Sequence, residues 1–166
     1  MPIIKMVKGN LVSAFLDPNN LTITDIAHGC NCFTEMGAGI AKEINARILG
    51  VYEADRLYDD YFYRKFQKLG TYSFFESPNL AKVKLGRRTG TVFNLYTQLR
   101  KRRHKKEVVC DYDAIQECFR ILNRDYPDMI LGIPMIGCGK ATGDWNIVRN
   151  IIQQTTTQLK VVVYYL

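Results

Sequence analysis

The chain has few of the residues that build metal centres and disulfide frameworks. Its 166 residues include two histidines, His28 and His104, and five cysteines, Cys30, Cys32, Cys110, Cys118 and Cys138. Cys30 and Cys32 are one residue apart and no second Cys/His pair stands at zinc spacing, so a structural zinc site is not expected. An odd cysteine count without an export signal points to reduced thiols in a cytoplasmic protein. The N-terminal MPIIKMVKGNL sets lysines inside a short apolar run, whereas a signal peptide starts with its basic residues and has a longer apolar region. No run of roughly 18 apolar residues exists, so no membrane-spanning helix is expected. Internal repeats, linkers and low-complexity tracts are also lacking.

What is present suits a globular α/β protein. The composition is 47% hydrophobic and 23% charged, with 12 glycines and 5 prolines, which argues against disorder. The length fits one domain over residues 1–166 with a buried core. A monomer is expected, since no long apolar surface stripe is evident. The net charge is +7, and removing the six cations of Arg100-Lys101-Arg102-Arg103-His104-Lys105-Lys106 brings it to +1. Basicity is therefore a property of one segment. That segment reads as a solvated loop, as a steering field for an anionic substrate, or as a nucleic-acid contact. It contains no interleaved aromatics on which bases could stack, so nucleic-acid contact through 100–106 is the less favoured reading.

Strand and helix signals alternate. Ile3–Val7, Leu21–Ala27, Thr71–Phe75, Lys82–Leu85, Thr91–Tyr96, Met129–Met135 and Val161–Tyr165 read as strands. Gly39–Ile48, Asp111–Asp125 and Trp145 to about Gln158 carry helical spacing, and Asp144 is a good N-cap for the last. Val51–Lys68 is aromatic and charged. Tyr52, Leu57, Tyr61 and Phe62 fit one helical face there, and Tyr61-Phe62-Tyr63 is expected in the core.

Two glycine-rich turns carry the chemistry. Between a strand and a helix, HGCNCFTEMGAGIAKEI (His28–Ile44) combines a histidine, an asparagine and Gly37-Ala38-Gly39. A helix N-terminus approached by glycines is a ready anion site, because its free N–H groups and positive dipole end face outward. The match to a dinucleotide fingerprint is partial, since Lys42 stands at the third glycine position. Gly137, Gly139 and Gly143 form a second such loop before the Asp144 cap. Gly139-Lys140-Ala141-Thr142 is not a Walker loop, because alanine separates lysine from threonine and Pro134 stands at the first glycine position. Two loops at strand ends could clasp a ligand with more than one phosphate. His28 has a structural reading and a functional one as a proton carrier near neutral pH. Asn31 can orient a hydroxyl or a water through its amide.

Together these segments resemble a macro domain over nearly the whole chain. Lys8-Gly9-Asn10-Leu11 resembles the family's first-strand signature, and His28–Ile44 its central asparagine- and glycine-rich segment. Phe93-Asn94-Leu95-Tyr96-Thr97-Gln98 and IPMIGCGKATGDW (Ile133–Trp145) resemble its later strand and second phosphate loop. The resemblance implies a three-layer α/β/α fold around a mixed, largely parallel sheet, with an ADP-ribose cleft. Asn10, Leu11 and Tyr164 would border adenine, although Asn10 replaces the usual aspartate. Gly37, Ala38, Gly39 and Ile40 would present N–H groups to the diphosphate. Ile136, Gly137, Cys138, Gly139, Lys140, Ala141, Thr142 and Gly143 would close over it, and Asn31 would contact the distal ribose.

The Lys-Gly-Asn and H-x-C-N-C runs are similar to the subgroup that hydrolyses ADP-ribose 1″-phosphate, which implies a phosphatase with His28 as base or nucleophile. Asn31 would orient ribose or water, with Asp144, Asp111 or Asp113 as general acid. ADP-ribose and its 1″-phosphate ester are the expected partners, and no metal or other cofactor is expected. The alternatives are a hydrolase that removes ADP-ribose from a modified macromolecule and a non-catalytic reader. The lysine used by members that form a lysine adduct would align with Gln98, which disfavours that chemistry, with Lys101 as the arguable shifted substitute.

Overall fold

The computed structural model describes residues 3–78 and 89–166. One six-stranded sheet runs in the order β1 (Ile3–Lys8), β6 (Lys160–Tyr165), β5 (Ile130–Ile133), β2 (Asp25–Asn31), β4 (Thr89–Gln98) and β3 (Tyr72–Pro78). β3 is antiparallel to β4, and the other neighbours pair in parallel. Helices α1 (Leu11–Leu16), α2 (Gly39–Arg47) and α3 (Val51–Asp59) cover one face, while α4 (Tyr112–Asp125) and α5 (Trp145–Thr155) cover the other. This is the three-layer α/β/α arrangement expected from the sequence. The strand expected at Lys82–Leu85 lies outside the described residues.

Strand alternation separates two cores. Val161 and Val163 pack under α4 and α5, whereas Val162 and Tyr164 pack under α1, α2 and α3. In α4 the buried side is Ala114, Ile115, Cys118, Phe119 and Leu122, the spacing of one helical face. Asp111 starts that helix by accepting from Ala114 N–H at 2.9 Å.

Three local expectations change. First, α1 is an additional helix, started by Asn10 Oδ1 accepting from Ser13 N–H at 2.8 Å. With six residues it is too short to show a period. Second, the strand expected at Leu21–Ala27 is instead Asp25–Asn31, because pairing with β4 and β5 carries it past His28. Third, the helix from Val51 ends at Asp59, and a 3₁₀ turn follows at Lys65–Lys68. Its buried residues are Val51 and Asp55, while Tyr61 and Tyr63 are 83% and 93% exposed. Asp55 can face inward because Tyr96 OH donates to it at 2.6 Å and buried Lys68 Nζ lies 3.6 Å away. A charged inward position misaligns any reading of that helix from apolar spacing alone.

Candidate functional site

A cleft of about 590 Å³ lies beyond the C-terminal ends of β2, β4 and β5, the end at which open α/β sheets hold ligands. Asn31 and residues 37–41 form one wall, residues 134–137 and 139–141 a second, and Gln98, Lys101 and Arg102 a third. Backbone strain gathers at its edges. Among the described residues, Thr34 (φ 55°) and Thr142 (φ 58°) are the non-glycine residues with positive φ, one in each loop. A left-handed β-branched residue is costly and points to a constrained, often functional, position.

The first loop offers unclaimed donors. Ala38 is the N-cap of α2 in an extended conformation, and no side chain caps that helix. Gly37, Ala38 and Gly39 are exposed, and a Cβ added at either glycine would meet nothing within 4 Å. The start of α2 therefore presents N–H groups and its positive dipole end to the cleft. The second loop is a tight turn. Gly143 N–H donates to Gly137 O at 2.6 Å and Thr142 N–H to Gly139 O at 3.0 Å. The Cys110 thiol packs beneath, so that a Cβ at Gly137 would lie 2.6 Å from its Sγ.

Asn31 is fixed at the end of β2. Its Oδ1 accepts from Phe33 N–H at 2.9 Å and its Nδ2 donates to Glu35 O at 3.2 Å. A register shift between Cys30 and Asn31 sets Asn31 opposite Gln98, whose Nε2 donates to Arg100 O at 3.0 Å. Glu35 reaches across the cleft to Lys101, with 2.5 Å between Oε2 and Nζ. The basic segment is thus part of the cleft wall. Glu107 gathers it by pairing with Arg100 and accepting from Arg103 N–H at 2.7 Å, and the Arg100 hydrogen bond pulls the Glu107 carboxyl down to about 2. Thr142 Oγ1 donates to Glu107 O at 2.5 Å, which joins this segment to the second glycine loop.

Of the residues expected at the site, Asn31, residues 37–40, 136–137 and 139–141 line the cleft. Cys138, Thr142 and Gly143 belong to the second loop without lining it. Cys138 Sγ donates to Ile136 O at 3.3 Å, and Gly143 packs against the Gly137 carbonyl and Cys110. Asn10, Leu11 and Tyr164 also lie outside the lining. Asn10 Nδ2 donates to both Glu43 carboxylate oxygens at 3.0 and 3.1 Å, while Leu11 and Tyr164 are buried in one core cluster. Asp144 is exposed and outside the lining, with its carboxylate accepting from Asn146 N–H at 2.8 Å as the cap of α5. Asp111 caps α4, and neither it nor Asp113 lines the cleft.

His28 is not brought to the cleft. It is 0% exposed and faces the α3 side of the sheet, because β2 continues three residues beyond it and alternation turns it inward. Asn94 Nδ2 donates to Ser73 Oγ at 3.1 Å, which leaves Asn94 Oδ1 to accept from His28 Nε2–H at 2.7 Å. Ser73 then bonds Tyr96 OH at 2.8 Å, and Tyr96 OH donates to Asp55. This buried polar chain ends at the Asp55–Lys68 ion pair, with Lys68 Nζ 4.4 Å from the Tyr96 ring centroid. Burial lowers the His28 pKa to about 4 despite the Asn94 bond, so the ring is neutral at pH 7. Cys30 Sγ lies 3.5 Å from His28 Nε2 and 3.8 Å from Nδ1. Burial also pushes the Cys30 thiol up.

Glu35 is a charged cleft residue that the sequence alone did not single out. It stands inside the His28–Ile44 stretch, but its value depends on Lys101, 66 positions later, as the ion pair reveals. No protein-family model matches the chain. It is 30% identical over 97% of its length to the "Uncharacterized 17.5 kDa protein in tk-vs intergenic region" of Enterobacteria phage T4, 95% of which is covered. A macrodomain protein from Streptomyces coelicolor superposes with a TM-score of 0.73 at 22% identity, covering 98% of each chain. Thermosipho africanus DarTG, solved in complex with ADP-ribose, superposes with a TM-score of 0.62 at 18% identity over 89% of this chain and 39% of its own. With this sheet order, these two loops and these likenesses, the chain has the macro domain fold and belongs to the family of the phage T4 protein.

Proposed function

We propose that the cleft binds ADP-ribose and that the protein hydrolyses ADP-ribose 1″-phosphate to ADP-ribose and phosphate. The observation that carries the binding is the uncapped start of α2 facing a second glycine loop across about 590 Å³, a volume in the range of small-ligand clefts. Backbone donors from Gly39 and Ile40 suit one face of a diphosphate, and the Gly137–Ala141 turn suits the other. Asn31 is the group for the distal ribose. Ile40 and Ala41 pack against the cluster that holds Leu11 and Tyr164, which is the direction proposed for adenine, with Asn10 at its rim. The DarTG complex supports the ligand by likeness of fold.

In the hydrolysis, water oxygen bonds to phosphorus and the bond to the ribose oxygen breaks. The ribose oxygen takes a proton, and inorganic phosphate leaves. Binding energy from adenosine and diphosphate fixes the ester for that step. The reading assigns His28 a positioning role: through Asn94 it holds the strand that ends at Asn31. Lys101 in the cleft favours a second reading, removal of ADP-ribose from a modified macromolecule through a lysine adduct. Single-turnover assays decide between them. Phosphate release from ADP-ribose 1″-phosphate supports the first. Loss of ADP-ribose from a modified protein or DNA, without phosphate release from the ester, overturns it.

A further inference from the structure

We infer that Lys101 and Arg102 form a subsite for a phosphate monoester carried on the distal ribose, and that Glu35 is the counter-ion this phosphate displaces. The inference rests on the reading that the cleft takes ADP-ribose. Lys101 and Arg102 line the same cleft as Asn31 and Gln98. Asn31 donates to the Glu35 carbonyl, and the Glu35 carboxylate holds Lys101. Asn31 and Lys101 are therefore linked through one residue, and Arg102 lines the cleft beside Lys101. Any group that extends from the ribose past Asn31 meets Glu35 and Lys101 next.

The charges select the chemistry of that group. Lys101 and Glu35 side chains are 68% and 37% exposed, and an ion pair this open to water is weak and easily exchanged. A monoester dianion offers Lys101 a stronger partner than one carboxylate and repels Glu35 while doing so. Arg102 can share the same phosphate. Arg103, Lys105 and Lys106 are exposed behind it and add a positive field at the mouth. Arg100 is occupied by Glu107, so it shapes the loop and leaves recognition to the next two residues. The ion-pair exchange gives the cleft a means to prefer phosphorylated ADP-ribose over its own product.

The test is calorimetric binding, to the wild type and to variants, of ADP-ribose and of a phosphonate analogue of its 1″-phosphate ester, which keeps the dianion, is not hydrolysed and stands for the ester throughout. The wild type is expected to bind the ester about tenfold tighter, the effect of one added charge-assisted contact. Lys101→Met with Arg102→Met is expected to abolish that preference, lowering affinity for the ester about tenfold more than affinity for ADP-ribose. Lys101→Arg should retain the preference, and Glu35→Gln should raise it. Raising salt to about 1 M should shrink the preference. Unchanged preference in the double variant, or none in the wild type, overturns the subsite. Displacement of the ester by a short single-stranded oligonucleotide also overturns it, by showing a polynucleotide track. Failure of wild type to bind ADP-ribose removes the underlying reading, and that arm is read separately.

Discussion

The two glycine-rich loops that face each other across the cleft are built in opposite ways. The second holds itself. Gly137 and Gly143 are bonded to one another, the Cys110 thiol fills the space beneath them, and Asp144 caps the helix that follows. The first has open space at Gly37 and Gly39, and its helix has no side-chain cap. Within the α3-side layer, His28, Asn94, Ser73, Tyr96 and Asp55 form a buried polar chain that ties β2 to β4, β3 and α3. Most polar atoms of that chain are hydrogen-bonded within the protein, as buried polar groups usually are. Donors left unclaimed at an exposed helix start serve a ligand. The backbone of the two loops differs accordingly: the second uses its own hydrogen bonds, and the first leaves N–H groups open at the start of α2.

Substitutions can break this contrast, and the largest effect is expected in the self-supporting loop. Gly137 has φ +77°, and an added Cβ would lie 2.6 Å from Cys110 Sγ. Gly137→Ala combines left-handed strain with overpacking and should lose about 3 kcal/mol of stability in urea unfolding. Gly37→Ala meets nothing within 4 Å and should change stability by less than about 0.5 kcal/mol. Equal losses at the two sites would end the distinction.

The buried polar chain makes a pH prediction. Burial lowers the His28 pKa from its ordinary 6.5 to about 4 in the folded protein. Between those values the unfolded chain binds the proton and the folded chain does not, so stability is fully present above about 6.5 and falls as pH drops toward 4. That interval corresponds to about 3 kcal/mol. His28→Gln should flatten the dependence across this window, as measured by urea unfolding at several pH values. A smaller effect is expected at the capped helix. Asp144→Ala should lower stability by about 1 kcal/mol through loss of the α5 cap, and should leave phosphate release intact because Asp144 does not line the cleft. A thousandfold drop in release would restore it as general acid.

Much of this layout is legible in the sequence. Alternating strand and helix signals give the three layers. Asp111 and Asp144 announce their helices, and the glycines announce both loops. What is hidden depends on partners distant in the chain. The end of β2 is set by pairing with β4, which turned His28 from a residue at a strand's mouth into a buried one. Asp55 faces inward because of Lys68 and Tyr96, and this inverts the apolar reading of α3. The basic segment reads as a solvated loop until Glu35 and Glu107 draw it into the cleft wall.

The central claim is that the unclaimed N–H groups at the start of α2 hold the ligand's diphosphate, and Ala38→Asp tests it most directly. A carboxylate at this N-cap should satisfy those donors itself, raising stability by about 1 kcal/mol. It should also repel the diphosphate. Calorimetry with ADP-ribose should find binding to the wild type and at least roughly tenfold weaker binding to the variant, alongside a higher melting temperature. Equal ADP-ribose affinity in the two proteins would contradict the account.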